Sequence, residues 1–369
     1  MSTHLLLRYP RRPVRSRIVI GRGEIARLGH FVRAVSGARR VAVVSDPRVA
    51  RLHGRAAAAA LKRAGLDLGW IVVRHGESAK TAPELVRLWG RLAAMELGRR
   101  DAIIALGGGV VGDLAGFAAA TWLRGVHWVG VPTTVLAQVD SSVGGKTAID
   151  LVSGKNLAGA FHQPVGVLID PDLLRTLPAR QRRAGLAEVV KLGMAVDAAL
   201  FRWVERHLAD LADGRSHALE QVVERAVRIK SKVVRRDEYE REGGPRTALN
   251  YGHTLAHALE TAAGYRGLLH GEAVAVGMRA AARLSERVVG LPAADRARQD
   301  AVLDALGLPR RIPGMKLAAL RRALAMDKKR NASQVRWVLT PRMGHASVPR
   351  PIERRLIQAV LIQLGGRVR

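Results

Sequence analysis

Six short apolar runs limit what the first half of this chain can become. They are "RIVIG" (17–21), "VAVVSD" (41–46), "WIVV" (70–73), "DAIIAL" (101–106), "WVGVP" (128–132) and "VGVLID" (165–170). Each is too short for a stable helix, and the later ones are apolar on both faces, as in strands covered from both sides. Helical stretches lie between several of them: an Ala-rich one ending near Ala64, one from Pro83 to about Leu97, and one running through Trp122. This alternation predicts an α/β domain with a parallel-rich, Rossmann-like sheet and helices on both faces.

Near Leu174–Pro178 the pattern changes. Helical segments follow at 181–209, 215–236, 247–263, 270–289, 294–306, 316–326 and 353–363, interrupted by one strand candidate, "VRWVL" (335–339). The chain therefore divides into an α/β domain over 1–177 and an all-α domain over 178–369. Sites in such proteins lie in the cleft between the halves.

Several function classes are excluded at this level. The longest apolar run, around Val126 to Val139, is broken by His127, Pro132 and Gln138, so no membrane span is expected. The N-terminal stretch "MSTHLLLRYPRRPVRSR" has only three consecutive leucines, too few for a secretory leader, so a cytoplasmic protein is expected. There is no cysteine, so a metal would be held by histidine and carboxylate. The formal net charge of +30 raises the question of nucleic acid. The basic residues are scattered, however, and aromatics are only 4%, poor material for base stacking. A positive field equally suits a small anionic substrate. Only ten of the 61 basic residues are lysine. Eight of those ten (Lys80, Lys146, Lys155, Lys191, Lys230, Lys232, Lys328 and Lys329) fall near the motifs below, as expected where a compact ammonium is required.

"LGGGVVGDLAG" (106–116) follows a strand and opens a helix, and Gly107, Gly109 and Gly112 fit G-x-G-x-x-G. Such a turn brings backbone N–H groups to a pyrophosphate. The acidic residue usually found about twenty positions on is missing; Asp46, ending an earlier strand, is the alternative partner for a ribose. "DSSVGGKT" (140–147) has Asp140 where a P-loop needs glycine, which rejects a nucleotide kinase. What remains is a polar segment with Lys146, followed by Lys155 and Asn156 in "GKNLAGAFHQP", suited to carboxylate, hydroxyl and phosphate groups.

In "AGLAEVVKLGM" (184–194), Glu188 and Lys191 share one helix face inside an apolar run, where a carboxylate needs a strong partner. "NYGHTLAHALE" and "LLHGEAVAVGM" (268–278) add His253, His257 and His270. Helical spacing favours His253 with His257 as a chelating pair, and leaves open His253 with His270 from a neighbouring helix.

In order and with ordinary spacing, these segments and "PTTVLAQVDSSVGGKT" closely resemble the 3-dehydroquinate synthases, a family of sugar-phosphate cyclases; the likeness runs from about Asp46 to Val338. The resemblance implies an NAD-binding α/β domain, a helical metal- and substrate-binding domain and a homodimer. The cofactors implied are NAD and zinc, cobalt or another divalent metal. The implied reaction turns 3-deoxy-D-arabino-heptulosonate 7-phosphate into 3-dehydroquinate and phosphate. It runs through transient oxidation, phosphate elimination, reduction, ring opening and an aldol closure. Glu188, His253 and His270 are the implied metal ligands, which leaves His257 facing substrate. Asp46, Glu77, Lys80, Gly109, Asp113, Thr133, Thr134 and Thr176 resemble cofactor-binding positions, with Lys146 and Lys155 beside them. Asp140, Lys146, Lys155, Asn156, Lys191, Lys230, Arg246, Asn250 and Lys329 resemble the substrate site, and Arg124 a residue that reaches the neighbouring subunit. Gln181 stands where the family commonly has Glu, and "EREGGPR" makes the stretch between Lys230 and Arg246 two residues longer than usual.

Overall fold

The computed structural model describes residues 15–264, 267–312, 314–330, 335–347 and 349–367, the side chains of 326–330 excepted. The first half contains β1 Arg17–Ile20, β2 Arg40–Ser45, β3 Asp67–Val72, β4 Ala102–Gly107, β5 His127–Pro132, β6 Lys146–Leu151, β7 Gly154–Phe161 and β8 Gly166–Ile169. Six of these strands form one sheet in the order β1-β8-β5-β4-β2-β3, every pair parallel. Between β2 and β4 the chain reverses its direction of growth across the sheet. Ligands bind outside the carboxyl ends of strands at such a point.

Alternate residues of the central strands feed two cores. Val41, Val43 and Ile104 pack with Leu28 and Val32 of α1 (Leu28–Ser36) and with Ala57 and Leu61 of α2 (Pro47–Arg63). Ala42, Val44 and Ile103 pack with Leu85, Leu88 and Leu92 of α3 (Ala82–Ala94) and Leu114 of α4 (Gly109–Thr121). A strand buried on both faces must be apolar throughout, which is why these runs stood out.

The second half is helical: α5 Ala179–Ala195, α6 Ala198–Arg206, α7 Leu208–Asp213, α8 Ser216–Arg236, α9 His253–Ala262, α10 His270–Val288, α11 Ala293–Ala305, α12 Leu317–Arg330 and α13 Arg354–Gln363. One two-residue pair, β9 Arg336–Trp337 with β10 Arg350–Pro351, stands where a longer strand was expected. Two predicted helices are broken. The segment 181–209 becomes α5, α6 and the start of α7, because the Asp197 side chain caps α6 by accepting from Ala199 N (2.8 Å) and Leu200 N (3.3 Å). The segment 247–263 starts as a 3-10 turn, Pro245–Asn250, and restarts after Gly252 at φ 82°. Among the described residues no helix is long and apolar enough to cross a membrane.

The polar segment around Asp140, to which the sequence assigned no regular element, is regular. It is a π-helical turn, Ala137–Ser141, followed by the antiparallel hairpin β6–β7. Its glycines and lysines hid the strand periodicity.

Candidate metal and substrate site

Three helices converge at one point. Glu188 sits in α5, whose residues from Ala184 to Ala195 are all buried. His253 opens α9 and His270 opens α10. Two glycine contacts bring these helices unusually close. A Cβ on Gly271 would lie 1.7 Å from the Ala184 carbonyl oxygen, so only glycine lets α10 touch α5 one turn before Glu188. A Cβ on Gly277 would lie 1.9 Å from the Gly252 oxygen, which fixes α9 against α10.

The result is a compact donor set. One ligand atom from each of Glu188, His253 and His270 lies within 4.8 Å of the others. Glu188 Oε1 is 3.7 Å from His253 Nε2 and 3.6 Å from His270 Nε2. Glu188 is wholly buried, and neither of its oxygens has a hydrogen bond of good geometry, although Oε2 ion-pairs with Lys191. A buried carboxylate with unmet oxygens facing two imidazoles fits a divalent cation. Burial opposes the charge of Glu188, but Lys191, His270 and His253 outweigh it and hold the carboxyl well below its usual range. Burial and the Lys191 charge push His253 well below the ordinary imidazole value, leaving it neutral as a ligand must be. His270 moves the other way, to about 10: burial opposes the shift, but Glu188 and Glu260 hold the proton that a metal would displace.

His257 is exposed and outside this group, its ring 5.5 Å from His253 and 6.5 Å from His270. Helical spacing alone favoured His253 with His257, whereas the donor atoms that lie together are those of Glu188, His253 and His270. The approach of α10 supplies the second histidine instead.

A cluster of charged side chains adjoins the donor set. Asp140, on the π-helical turn, accepts from Lys230 Nζ through both its backbone oxygen (2.6 Å) and Oδ1 (2.5 Å). Lys191 Nζ is 4.0 Å from the same Oδ1. Burial works against the Asp140 charge, yet Lys230 and Lys191 lower its pKa. Burial also opposes the Lys191 ammonium, but Glu188 and Asp140 raise it, so it stays charged. Burial lowers Lys230 despite Asp140. Lys230 is buried here while Lys232 is exposed, which favours Lys230 as the inward residue. Arg246 is buried and donates to the Glu238 and Gly144 backbone oxygens, the latter at 3.0 Å. Gly144 has φ 113°, and a Cβ there would meet the Arg246 guanidinium at 2.5 Å.

One residue here had no signal in the sequence. Glu240, in the longer stretch before Arg246, ion-pairs with Lys146 through Oε2 and accepts from Asn250 Nδ2 at 2.7 Å through Oε1. Its backbone is left-handed at φ 51°. A carboxylate thus lies between two residues expected to hold an anionic substrate.

The residues expected to bind a dinucleotide follow the carboxyl ends of β2, β3, β4, β5 and β8. Gly109 begins α4, close enough that its Cβ would meet Ser141 Oγ at 3.1 Å. Asp46 caps α2, accepting from Arg48 N and Val49 N. Lys80 Nζ donates to Asp113 Oδ2 (2.8 Å) and to Asn156 Oδ1, so Asn156 meets this group rather than the lysines around Asp140. Lys155 Nζ lies 3.0 Å from Glu77. The buried Thr133 hydroxyl has no partner among the described residues, Thr134 Oγ1 accepts from Ala137 N, and Thr176 Oγ1 meets His53 Nε2 at 3.0 Å. The glycine-opened helix, the unmet hydroxyl and the acid at the end of β2 fit a dinucleotide. Arg124 is exposed after α4. The Lys329 side chain lies outside the described residues.

Residues 70–184 match the family model for the 3-dehydroquinate synthase N-terminal region, and 185–330 match the C-terminal one. The chain belongs to the 3-dehydroquinate synthase family. A 3-dehydroquinate synthase of Caulobacter vibrioides is 46% identical over 356 residues, covering 95% of this chain and 96% of that protein. One from Pelobacter propionicus is 47% identical over 90% of this chain and 92% of its own length. Among solved structures, 2-epi-5-epi-valiolone synthase from Streptomyces hygroscopicus, with NAD+ and Zn2+ bound, superposes with a TM-score of 0.89 at 30% identity, covering 97% of this chain and 99% of that one. A 2-deoxy-scyllo-inosose synthase complexed with carbaglucose-6-phosphate, NAD+ and Co2+ gives 0.86 at 29% identity, covering 94% and 96%. A glycerol dehydrogenase from Schizosaccharomyces pombe, at 17% identity and 0.67, covers 96% of this chain and 91% of its own, and shares the fold.

Proposed function

We propose that this chain converts 3-deoxy-D-arabino-heptulosonate 7-phosphate to 3-dehydroquinate and phosphate, with bound NAD and a divalent metal. The observation that carries the reading is the buried Glu188 carboxylate with unmet oxygens, facing His253 and His270 and backed by Lys191. When bound, the metal supplies a Lewis acid next to the reacting hydroxyls, and NAD supplies an acceptor that takes a hydride and returns it. Gly109, Thr133, Thr134, Asp46, Glu77, Lys80, Asp113 and Thr176 would hold the dinucleotide; Glu188, His253 and His270 would hold the cation.

The remaining residues bind and orient. Lys191 and Lys230, fixed on Asp140, present ammonium groups to substrate hydroxyl and carboxylate oxygens. Lys146, Asn250 and Arg246 form the cationic and amide wall suited to a phosphate. Once phosphate has left, ring opening and carbon–carbon closure need chiefly one held conformer, which a pocket with so many fixed donors supplies. His257, exposed one turn beyond His253, is placed to exchange a proton with substrate rather than to bind the cation. We also take the units as 1–177 and 178–369. The working form is read as a cytoplasmic homodimer, with Arg124 reaching the neighbouring subunit.

The test is phosphate release from the heptulosonate phosphate. Release should require the metal, stop with chelator and return with zinc. A purified, folded chain that releases no phosphate with zinc and NAD present would sink the reading. The product separates this activity from that of the related cyclases, whose rings carry different substituents.

A further inference from the structure

We infer that Glu260 is a positioning residue: its Oε1 anchors the metal-facing imidazole of His270 and, at the same time, the ammonium of Lys155. This rests on the proposed metal site. Glu260 lies on α9 and is only 4% exposed, yet it is neither a member of the three-ligand group nor one of the expected substrate residues. Its Oε1 is 3.3 Å from His270 Nδ1 and 3.3 Å from Lys155 Nζ.

The chemistry of an imidazole ligand gives this contact its meaning. For His270 Nε2 to offer a lone pair beside Glu188, the ring proton must sit on Nδ1, and that N–H needs an acceptor. Glu260 Oε1 is in that place. His253 has the same arrangement in weaker form, with Nδ1 3.4 Å from the Tyr251 backbone oxygen. The two ligands differ in how packing holds them. The His253 side chain is 12% exposed, whereas that of His270 is 31% exposed. Packing alone leaves the His270 ring freer to turn, so the carboxylate has more to fix.

The second contact ties this support to the other half of the molecule. Lys155 belongs to β7 of the hairpin, and its Nζ also lies 3.0 Å from Glu77 in the 3-10 turn Glu77–Ala79. One carboxylate oxygen therefore joins a helix carrying a metal ligand to the hairpin and turn on the dinucleotide side. Anchoring the imidazole and the ammonium together fixes the distance between the cation and the lysine wall of the pocket.

The experiment is Co2+ titration of the metal-stripped full chain, following the visible absorption of the bound ion, for the parent, E260Q and E260L. The isosteric E260Q keeps an acceptor oxygen but loses the charge, and should weaken Co2+ about tenfold. E260L removes the acceptor and should approach a hundredfold, the upper end for lost outer-shell partners. The absorption band should shift in both, while metal-free E260Q still melts cooperatively as a folded chain. Parental Co2+ affinity and an unchanged band in folded E260Q would overturn the inference and leave Glu260 a structural ion pair. A parent chain that binds no Co2+ would instead remove the metal site on which the inference stands. If E260L fails to fold, E260Q alone decides.

Discussion

Replacing Gly271 with alanine should damage the metal site without touching a ligand. In an exposed helix, Gly→Ala normally stabilises by up to about 1 kcal/mol. Here the added Cβ would lie 1.7 Å from the Ala184 carbonyl oxygen, whereas carbon and oxygen ordinarily approach to about 3.3 Å. The neighbour is backbone, so no side chain can swing aside. The N-terminus of α10 must retreat from α5 by about 1.5 Å, and His270, one residue earlier, moves with it. Overpacking of this kind costs about 1–3 kcal/mol. The donor atoms now lie within 4.8 Å of one another, and a shift of that size takes His270 out of common reach with Glu188. The assay pairs thermal melting of the metal-free chain with Co2+ affinity. Both should fall, and turnover should fall with them by at least a hundredfold if misplacement is felt as in other sites. A G271A chain with parental melting temperature and parental Co2+ affinity would refute the claim that this close approach builds the site.

Three further outcomes follow from the same geometry. His257→Asn should cut turnover while each chain retains about one bound metal; metal loss would return His257 to the ligand set. Glu240→Gln removes a carboxylate from between Lys146 and Asn250, so KM for the phosphorylated substrate should drop several-fold; a raised KM would mean that Glu240 orients Lys146 rather than competing with substrate. Burial lowers His53 and His162 below the ordinary imidazole value of about 6.5, so the unfolded chain binds more protons in mild acid. Stability from these two should be full above about pH 7 and fall as pH drops through 6.5 towards the folded values. A His53→Gln, His162→Gln chain should lose less melting temperature on mild acidification than its parent, and an equal loss would contradict the assignment.

What was legible in the sequence follows from the physics of burial. The six parallel strands announced themselves because β2, β4, β5 and β8 are covered on both faces and cannot hide polar residues. Glu188 was legible as a carboxylate inside an apolar helix. The hairpin β6–β7 was not, because its apolar residues Leu151, Leu157 and Phe161 are exposed while Thr147 is buried, which erases the apolar–polar alternation. The helix breaks at Asp197 and Gly252 turn on single capping and φ requirements inside otherwise helical patterns. Residue spacing could not decide between His257 and His270, since that choice depends on how α10 lies on α5, set by Gly271. Glu260 ends "NYGHTLAHALE" and Glu240 opens "EREGGPR", but neither stretch shows what they pair with; their partners are 94, 105 and 10 residues away in sequence. A long separation combined with a buried charge is the signal that only the folded chain provides.

The central claim is a cyclisation in which the hydride borrowed by the cofactor is given back. It is tested most directly by measuring phosphate, dehydroquinate and reduced nicotinamide in one reaction with NAD far below the substrate concentration. The account predicts equal amounts of phosphate and dehydroquinate, many turnovers per NAD, and no accumulation of reduced nicotinamide. Reduced nicotinamide accumulating with product, or oxidation without phosphate release, would mark a polyol dehydrogenase on the same fold and contradict the account.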